Sequence, residues 1–184
     1  MITKEANRRD IEAKLNTMGD YVKIDYLMRC LKQQLDFDSR RFCLVKLSEL
    51  YEGKRMFLEA GRMLQGAAPI NALDKGKIND FVKSAELFIK AGNFEFADIA
   101  FEKAMAYGTE RDKWDVKQKK IDFYKNQADE YFVKDKRNSA MLAYEKFLSL
   151  NITESEKKTA QEKLLALYGR LGKIKEFTNL KRVM

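Results

Sequence analysis

The chain has 184 residues and a formal net charge of +8, with 45% hydrophobic and 35% charged residues. That balance buries a core and coats it in charge, which excludes an intrinsically disordered chain, and no stretch approaches the ~18 apolar residues of a membrane span. One proline (Pro69) and nine glycines are too few for the tight turns of a β-rich domain and leave room for long helices.

The predicted elements are helix pairs in a recurring register, in which helix A ends on an aromatic or leucine and a turn follows four residues later. Helix B then carries three apolar positions at i, i+4 and i+7, which share one face. The first pair, at about 5–35, reads Leu15, Gly19, Ile24, Met28, Leu31, and the second, at 40–70, reads Tyr51, Arg55, Ala60, Leu64, Ala67. The third, at 77–108, is the best formed: Phe88, Gly92, Ala97, Phe101, Ala104. The fourth, at 117–149, reads Tyr131, Asp135, Ala140, Tyr144, Phe147, and the fifth, at 156–184, reads Tyr168, Gly172, Phe177, Lys181, Met184. A small residue three before the helix-A aromatic lets two helices approach closely; Glu12 and Leu165 replace it in the first and fifth pairs, whose interfaces are expected to be looser.

The unit Phe81–Ala104, with Ala85 and Phe88, the Gly92 turn, then Ala97, Phe101 and Ala104, resembles the tetratricopeptide repeat. Spacings between the helix-A anchors are 36, 37, 43 and 37 residues, against about 34 for that repeat. The resemblance implies an all-α fold, a right-handed α-α superhelix (solenoid) of about five tetratricopeptide-like helix pairs in one domain over 1–184. The extra residues are expected in the B-to-A connections, above all around Gly108–Trp114. Phe37, Phe42, Trp114, Phe123 and Tyr124 fall near repeat junctions and are expected in the core, with Trp114 partly exposed at the start of a helix. The fifth pair has no polar capping helix after it, so the expectation is a longer protein or an open end that self-associates.

Catalytic chemistry finds no foothold. The sequence has no histidine, which removes imidazole bases, Ser–His and Cys–His pairs and the zinc motifs that need that ligand. No glycine-rich phosphate loop occurs, and Ser155–Lys158 reads as a helix start capped by Thr153 or Ser155 before Glu156, not as a nucleophile pair. Cys30 and Cys43 lack short metal-ligand spacing and are expected as buried thiols. No cofactor, metal or small-molecule substrate is expected. The polar start Met1–Glu5 lacks the apolar core of a signal peptide, so the expected address is the cytoplasm.

By the same resemblance, the concave surface is lined by helix A on the face opposite its packing residues. Those positions are Ala6, Arg9, Ala13 and Asn16; Phe42, Val45, Glu49 and Glu52; Asn79, Val82, Glu86 and Ile89. They continue with Asp122, Lys125, Asp129 and Phe132, then Thr159, Glu162, Ala166 and Gly169. Six acids against two bases make this groove mildly acidic. The lysine–asparagine clamp with which chaperone-binding members hold an acidic C-terminal peptide is replaced by Arg9/Ala13, Val45/Glu49 and Val82/Glu86. Glutamates there repel a carboxylate, so a basic or amphipathic helical segment is the expected ligand. Positive charge collects instead in the A-to-B turns: Lys54, Arg55, Lys90, Lys134, Lys136, Arg137, Arg170, Lys173 and Lys175. Two functions are open: a protein-interaction scaffold using the groove, or a ribosome-, RNA- or membrane-associated accessory protein using the basic edge against polyanions.

Overall fold

A computed structural model of the chain describes residues 7–184; the groove position Ala6 and the start of the first pair lie outside the described residues. Those residues are helical, with no strand among them. The elements are α1 (Arg8–Leu15), α2 (Asp20–Cys30), α3 (Phe37–Gly53), α4 (Phe57–Ala67), α5 (Asp74–Lys90) and α6 (Phe94–Ala106). They continue with α7 (Glu110–Val133), α8 (Arg137–Leu148), α9 (Glu154–Leu171) and α10 (Ile174–Val183), and a short 3-10 turn, Ala68–Ile70, follows α4. The chain forms two compact units, Met1–Lys113 and Trp114–Met184, with α7 running across the boundary. In the first unit α2 packs on α3, α3 on α4, α4 on α5 and α5 on α6; in the second α9 packs on α8 and α10. No described helix is long and apolar enough to cross a membrane.

Four of the five A-to-B turns have one geometry. Arg55, Gly92, Asp135 and Gly172 all take the left-handed conformation, with φ of 59°, 74°, 51° and 69°. The next residue's N–H in each turn reaches back to the carbonyl of the helix-A aromatic: Met56 to Tyr51, Asn93 to Phe88, Lys136 to Tyr131 and Lys173 to Tyr168, each at 2.8–2.9 Å. This back-bond satisfies a carbonyl that the helix end leaves open, and glycine is the residue that reaches the conformation without strain. Gly19 departs from the set with φ −76° and serves as the N-cap of α2.

Burial follows the predicted register in the middle three pairs. Ala60, Ala97 and Ala140 are fully buried, as are Phe88, Phe101, Ala67 and Ala104, and Tyr144 and Phe147 are nearly so. At the ends the register loosens: Met28 and Met184 are exposed, and Lys181 lies in solvent. The tightest contact surrounds α4. Ser48 Oγ donates to the Ala60 carbonyl at 2.9 Å and Ser84 Oγ to the Gly61 carbonyl at 2.8 Å, so each neighbouring helix is hydrogen-bonded to the α4 backbone. Hydroxyls buried this way are satisfied, and their small size permits the close approach.

Three expectations need correction. The predicted second, third and fourth pairs begin three, three and seven residues late at helix A, as where Asp36 caps α3 by accepting from Ser39 N–H; the fifth begins two residues late, although the reciprocal Thr153–Glu156 capping box starts α9 as expected. The surplus near Gly108–Trp114 is not a long connection. Thr109 and Asp112 cap one another reciprocally, Thr109 N–H to Asp112 at 3.1 Å and Asp112 N–H to Thr109 Oγ1 at 3.3 Å, and start α7 at Glu110. Phe37, expected in the core, is 80% exposed; Phe42 and Tyr124 join the core, and Trp114 is 62% exposed, in line with its expected partial exposure. Phe37 opens α3 and Trp114 lies near the start of α7. Cys30 and Cys43 are buried thiols that form no disulfide. They meet in space, and burial first, then the Cys30 neighbour, pushes the Cys43 thiol up to about 12, where it is an inert part of the core.

Candidate functional site

Helices α3 and α5 owe their common face to their own spacing: Val45, Glu49 and Glu52 lie on one side of α3, Asn79 and Lys83 on one side of α5. Between them lies a depression of about 340 Å3 lined by Val45, Ser48, Glu49, Glu52, Leu64, Asn79, Asp80 and Lys83. A second depression, about 300 Å3, adjoins it at Glu49 and is lined by Glu12, Leu15, Asn16, Lys23, Leu27, Phe42, Lys46 and Leu50. The structure therefore brings together six of the predicted groove residues, Asn16, Phe42, Val45, Glu49, Glu52 and Asn79, on a surface supplied chiefly by α1, α3 and α5. The α3–α5 depression has a floor of Leu64 and Val45 and a rim with three carboxylates and one ammonium.

Two predicted groove positions on α5 do not reach that surface. Val82 and Ile89 are buried and line neither depression, because α5 is enclosed over much of its circumference. The acidic character is also smaller than a count of residues suggested. Lys83 Nζ contacts Glu52 at 2.9 Å and Glu86 at 3.2 Å, while Lys90 contacts Glu86 at 2.5 Å and Glu52 at 3.9 Å. Lys90, assigned above to the basic edge, belongs to this four-residue cluster and neutralises it. The spacing Lys83–Glu86–Lys90, i, i+3 and i+4 on α5, carries the signal in the sequence that the charge count overlooked. Burial alone would push Glu86 up, but Lys90 and Lys83 hold it below the ordinary carboxylate range.

Further along the rim, Arg41 Nη2 and Asn71 Nδ2 donate to Asp80 at 2.7 and 3.0 Å, tying both α3 and the segment before α5 to α5. Glu49 makes an exposed pair with Lys46 at 2.7 Å. Such a pair contributes about 0–1 kcal/mol and leaves the carboxylate open to an incoming cation.

In the second unit the predicted residues Lys125, Asp129 and Thr159 line a separate depression with Tyr144, Phe147, Ser155, Glu156, Ala160 and Lys163. Its charges are satisfied internally: Lys125 donates to Glu156 at 3.0 Å, and Lys163 to Asp129 at 2.7 Å, with Tyr144 Oη donating to the same carboxylate. Burial first, then Asp129, raises the Tyr144 phenol, which stays a proton donor. Phe132 is half-buried beneath Lys163 and edge-on to Tyr144. These residues cross-link α7, α8 and α9.

The basic-edge residues sort by unit. In the first, Lys54 stacks over the Tyr21 ring at 3.6 Å and Arg55 is the left-handed turn residue. In the second, Arg137 donates twice to Asp135 at 2.9 Å, Lys134 pairs with Glu130, and Lys173 with Glu176 at 3.9 Å; Lys136 and Lys175 are exposed.

The pairs set an acid limit to stability. Lys75, and after it Thr109, holds Asp112 down to about 2, and Asp135 and Glu156 are lowered chiefly by Arg137 and Lys125. Depressed carboxylates contribute stability that is present above about pH 4 and lost as pH falls through their folded values. Lys83 and Arg137 are raised, so their contribution is present below their unfolded pKa values and lost as pH rises through the folded ones. With no histidine in the sequence, melting temperature is expected to be flat between about pH 5 and 9 and to fall below about pH 4. Melts followed by circular dichroism check this; a step near pH 6.5 would contradict it.

No family model matches the sequence, and no curated protein shows significant similarity. One solved structure that resembles it is the crystal structure of BtubC (BKLC) from P. vanneervenii, at 18% identity and a TM-score of 0.38. The match covers 94% of this chain and 72% of that one. A likeness of that size assigns neither fold nor role.

Proposed function

We propose that the chain is a tetratricopeptide-like helical-repeat scaffold, non-enzymatic and cytoplasmic, that holds a basic or amphipathic helical segment of a partner protein. The observation that carries this reading is the surface where the α1–α3 and α3–α5 depressions meet at Glu49. An amphipathic helix buries one apolar stripe and presents charge beside it, and this surface offers the complement: Val45, Leu64, Leu15 and Phe42 below, Glu49 and Glu52 at the rim. The shared turn geometry supports treating the helix pairs as copies of one repeated unit.

Substitutions that test the reading must spare the ion cluster, since replacing Glu52 or Glu86 by lysine would crowd Lys83 and Lys90 with like charge. Val45→Asp with Glu49→Lys alters the depression while leaving those pairs intact. Nuclease-treated lysate passed over the immobilised full chain is expected to yield a protein partner whose capture falls at least about tenfold with this double variant, the order expected when a central apolar contact and a charge pair are lost. Equal capture by both proteins would refute the groove as the working surface.

A further inference from the structure

The second unit carries an exposed surface that the groove does not use. Val133, the last residue of α7, is 84% exposed and is followed by Lys134, Lys136 and Arg137. Ile174, the first residue of α10, is 77% exposed, and Lys173 and Lys175 flank it. The two turns are neighbours, since Arg170 Nη1, near the end of α9, lies 3.8 Å from Asp135 in the turn after α7. Six bases stand against Glu130, Asp135 and Glu176, so the surface stays positive after every pair is formed.

We infer that these two adjacent turns dock on an anionic membrane surface, with Val133 and Ile174 entering the boundary between headgroups and acyl chains and the lysines and arginines holding the headgroup charge. The aliphatic residues decide between polyanions. A nucleic-acid backbone rewards basic residues and stacking aromatics and gains nothing from a valine and an isoleucine at the tips of turns. A lipid surface rewards both: apolar side chains sink a few ångströms while lysine stems snorkel to the phosphates. The α10 helix extends the same character, with Lys181, Arg182 and Val183 exposed along it. This surface lies in the second unit and the groove substitutions above lie in the first, so the two readings fail separately.

The test is co-sedimentation of the full chain with phosphatidylcholine vesicles containing phosphatidylserine, against phosphatidylcholine alone, with retention on homopolymeric RNA measured in parallel. Binding is expected only with the anionic vesicles and should weaken with salt. Lys134→Gln, Lys136→Gln and Lys175→Gln together are expected to lower the partition coefficient about 100-fold, at about fivefold for each basic residue. Val133→Ser with Ile174→Ser keeps every charge and is expected to lower vesicle binding at least about tenfold while leaving retention on RNA unchanged. All five positions are solvent-facing or at helix ends, and unchanged melts of the variants confirm intact folding. Absence of binding to anionic vesicles, or vesicle binding indifferent to the two serine substitutions, overturns the inference; the second result would mark a backbone contact with a polyanion.

Discussion

Gly61→Val is expected to destabilise the first unit by about 3 kcal/mol, near the upper end of what overpacking a filled core costs. A Cβ built at Gly61 falls 2.7 and 2.8 Å from two Phe88 ring carbons, closer than side chains tolerate. The ring has nowhere to go: Phe88 is fully buried and edge-packed against Phe96 at 5.5 Å. The α4 backbone cannot retreat either, held by Ser48 on one side and Ser84 on the other. A glycine inside a helix ordinarily costs about 0.5–1 kcal/mol relative to alanine, so its presence here reflects the contact. Gly61→Ala is therefore expected to destabilise as well, by less, and Phe88→Leu in the same chain should restore part of the loss, a coupling of about 1 kcal/mol. Urea melts of wild type, Gly61→Val, Gly61→Ala, Phe88→Leu and the Gly61→Ala/Phe88→Leu double variant measure it; wild-type stability for Gly61→Val would contradict the packing described.

Truncation at one register position is expected to cost very different amounts along the chain. Phe101→Ala removes a fully buried ring and should cost about 3–5 kcal/mol, a large part of a domain's typical total of about 5–15. Tyr144→Ala should cost a similar amount, since its ring is 2% exposed and its hydroxyl serves Asp129. At the equivalent terminal positions Met28 is 37% exposed and Lys181 lies in solvent, and their alanine variants should stay within about 0.5–1 kcal/mol of wild type. Thermal or urea melts of the four single variants read the gradient. Equal losses at Met28 and Phe101 would mean the apolar register does not describe the core.

Much of the fold was legible because helix formation and the A–B turn depend on local sequence. The aromatic at Tyr51, Phe88, Tyr131 and Tyr168 and the turn residue four later mark positions whose backbone the structure repeats, even where Arg55 and Asp135 stand in place of glycine. Helix starts were misjudged where the cap is a side-chain exchange upstream of the apolar pattern, as with Thr109 and Asp112. The candidate surface was legible in part. Asn16, Val45, Glu49, Glu52 and Asn79 meet there, but a helical face does not reveal how deeply a helix is enclosed, and Val82 and Ile89 are taken up by packing. Net charge misled for a related reason. Whether Glu86 is an open carboxylate depends on Lys83 and Lys90 reaching it, a matter of side-chain geometry that a tally of signs ignores.

The most direct test of the scaffold reading places a photo-crosslinking amino acid at Asn79, exposed on the rim of the α3–α5 depression, in the full chain and in nuclease-treated lysate. The control carries the same group at Glu102, exposed on α6. The account predicts one protein crosslinked from position 79, absent from position 102, and lost when Val45→Asp and Glu49→Lys are added. Crosslinking that is equal from both positions, or unaffected by the two substitutions, would contradict it.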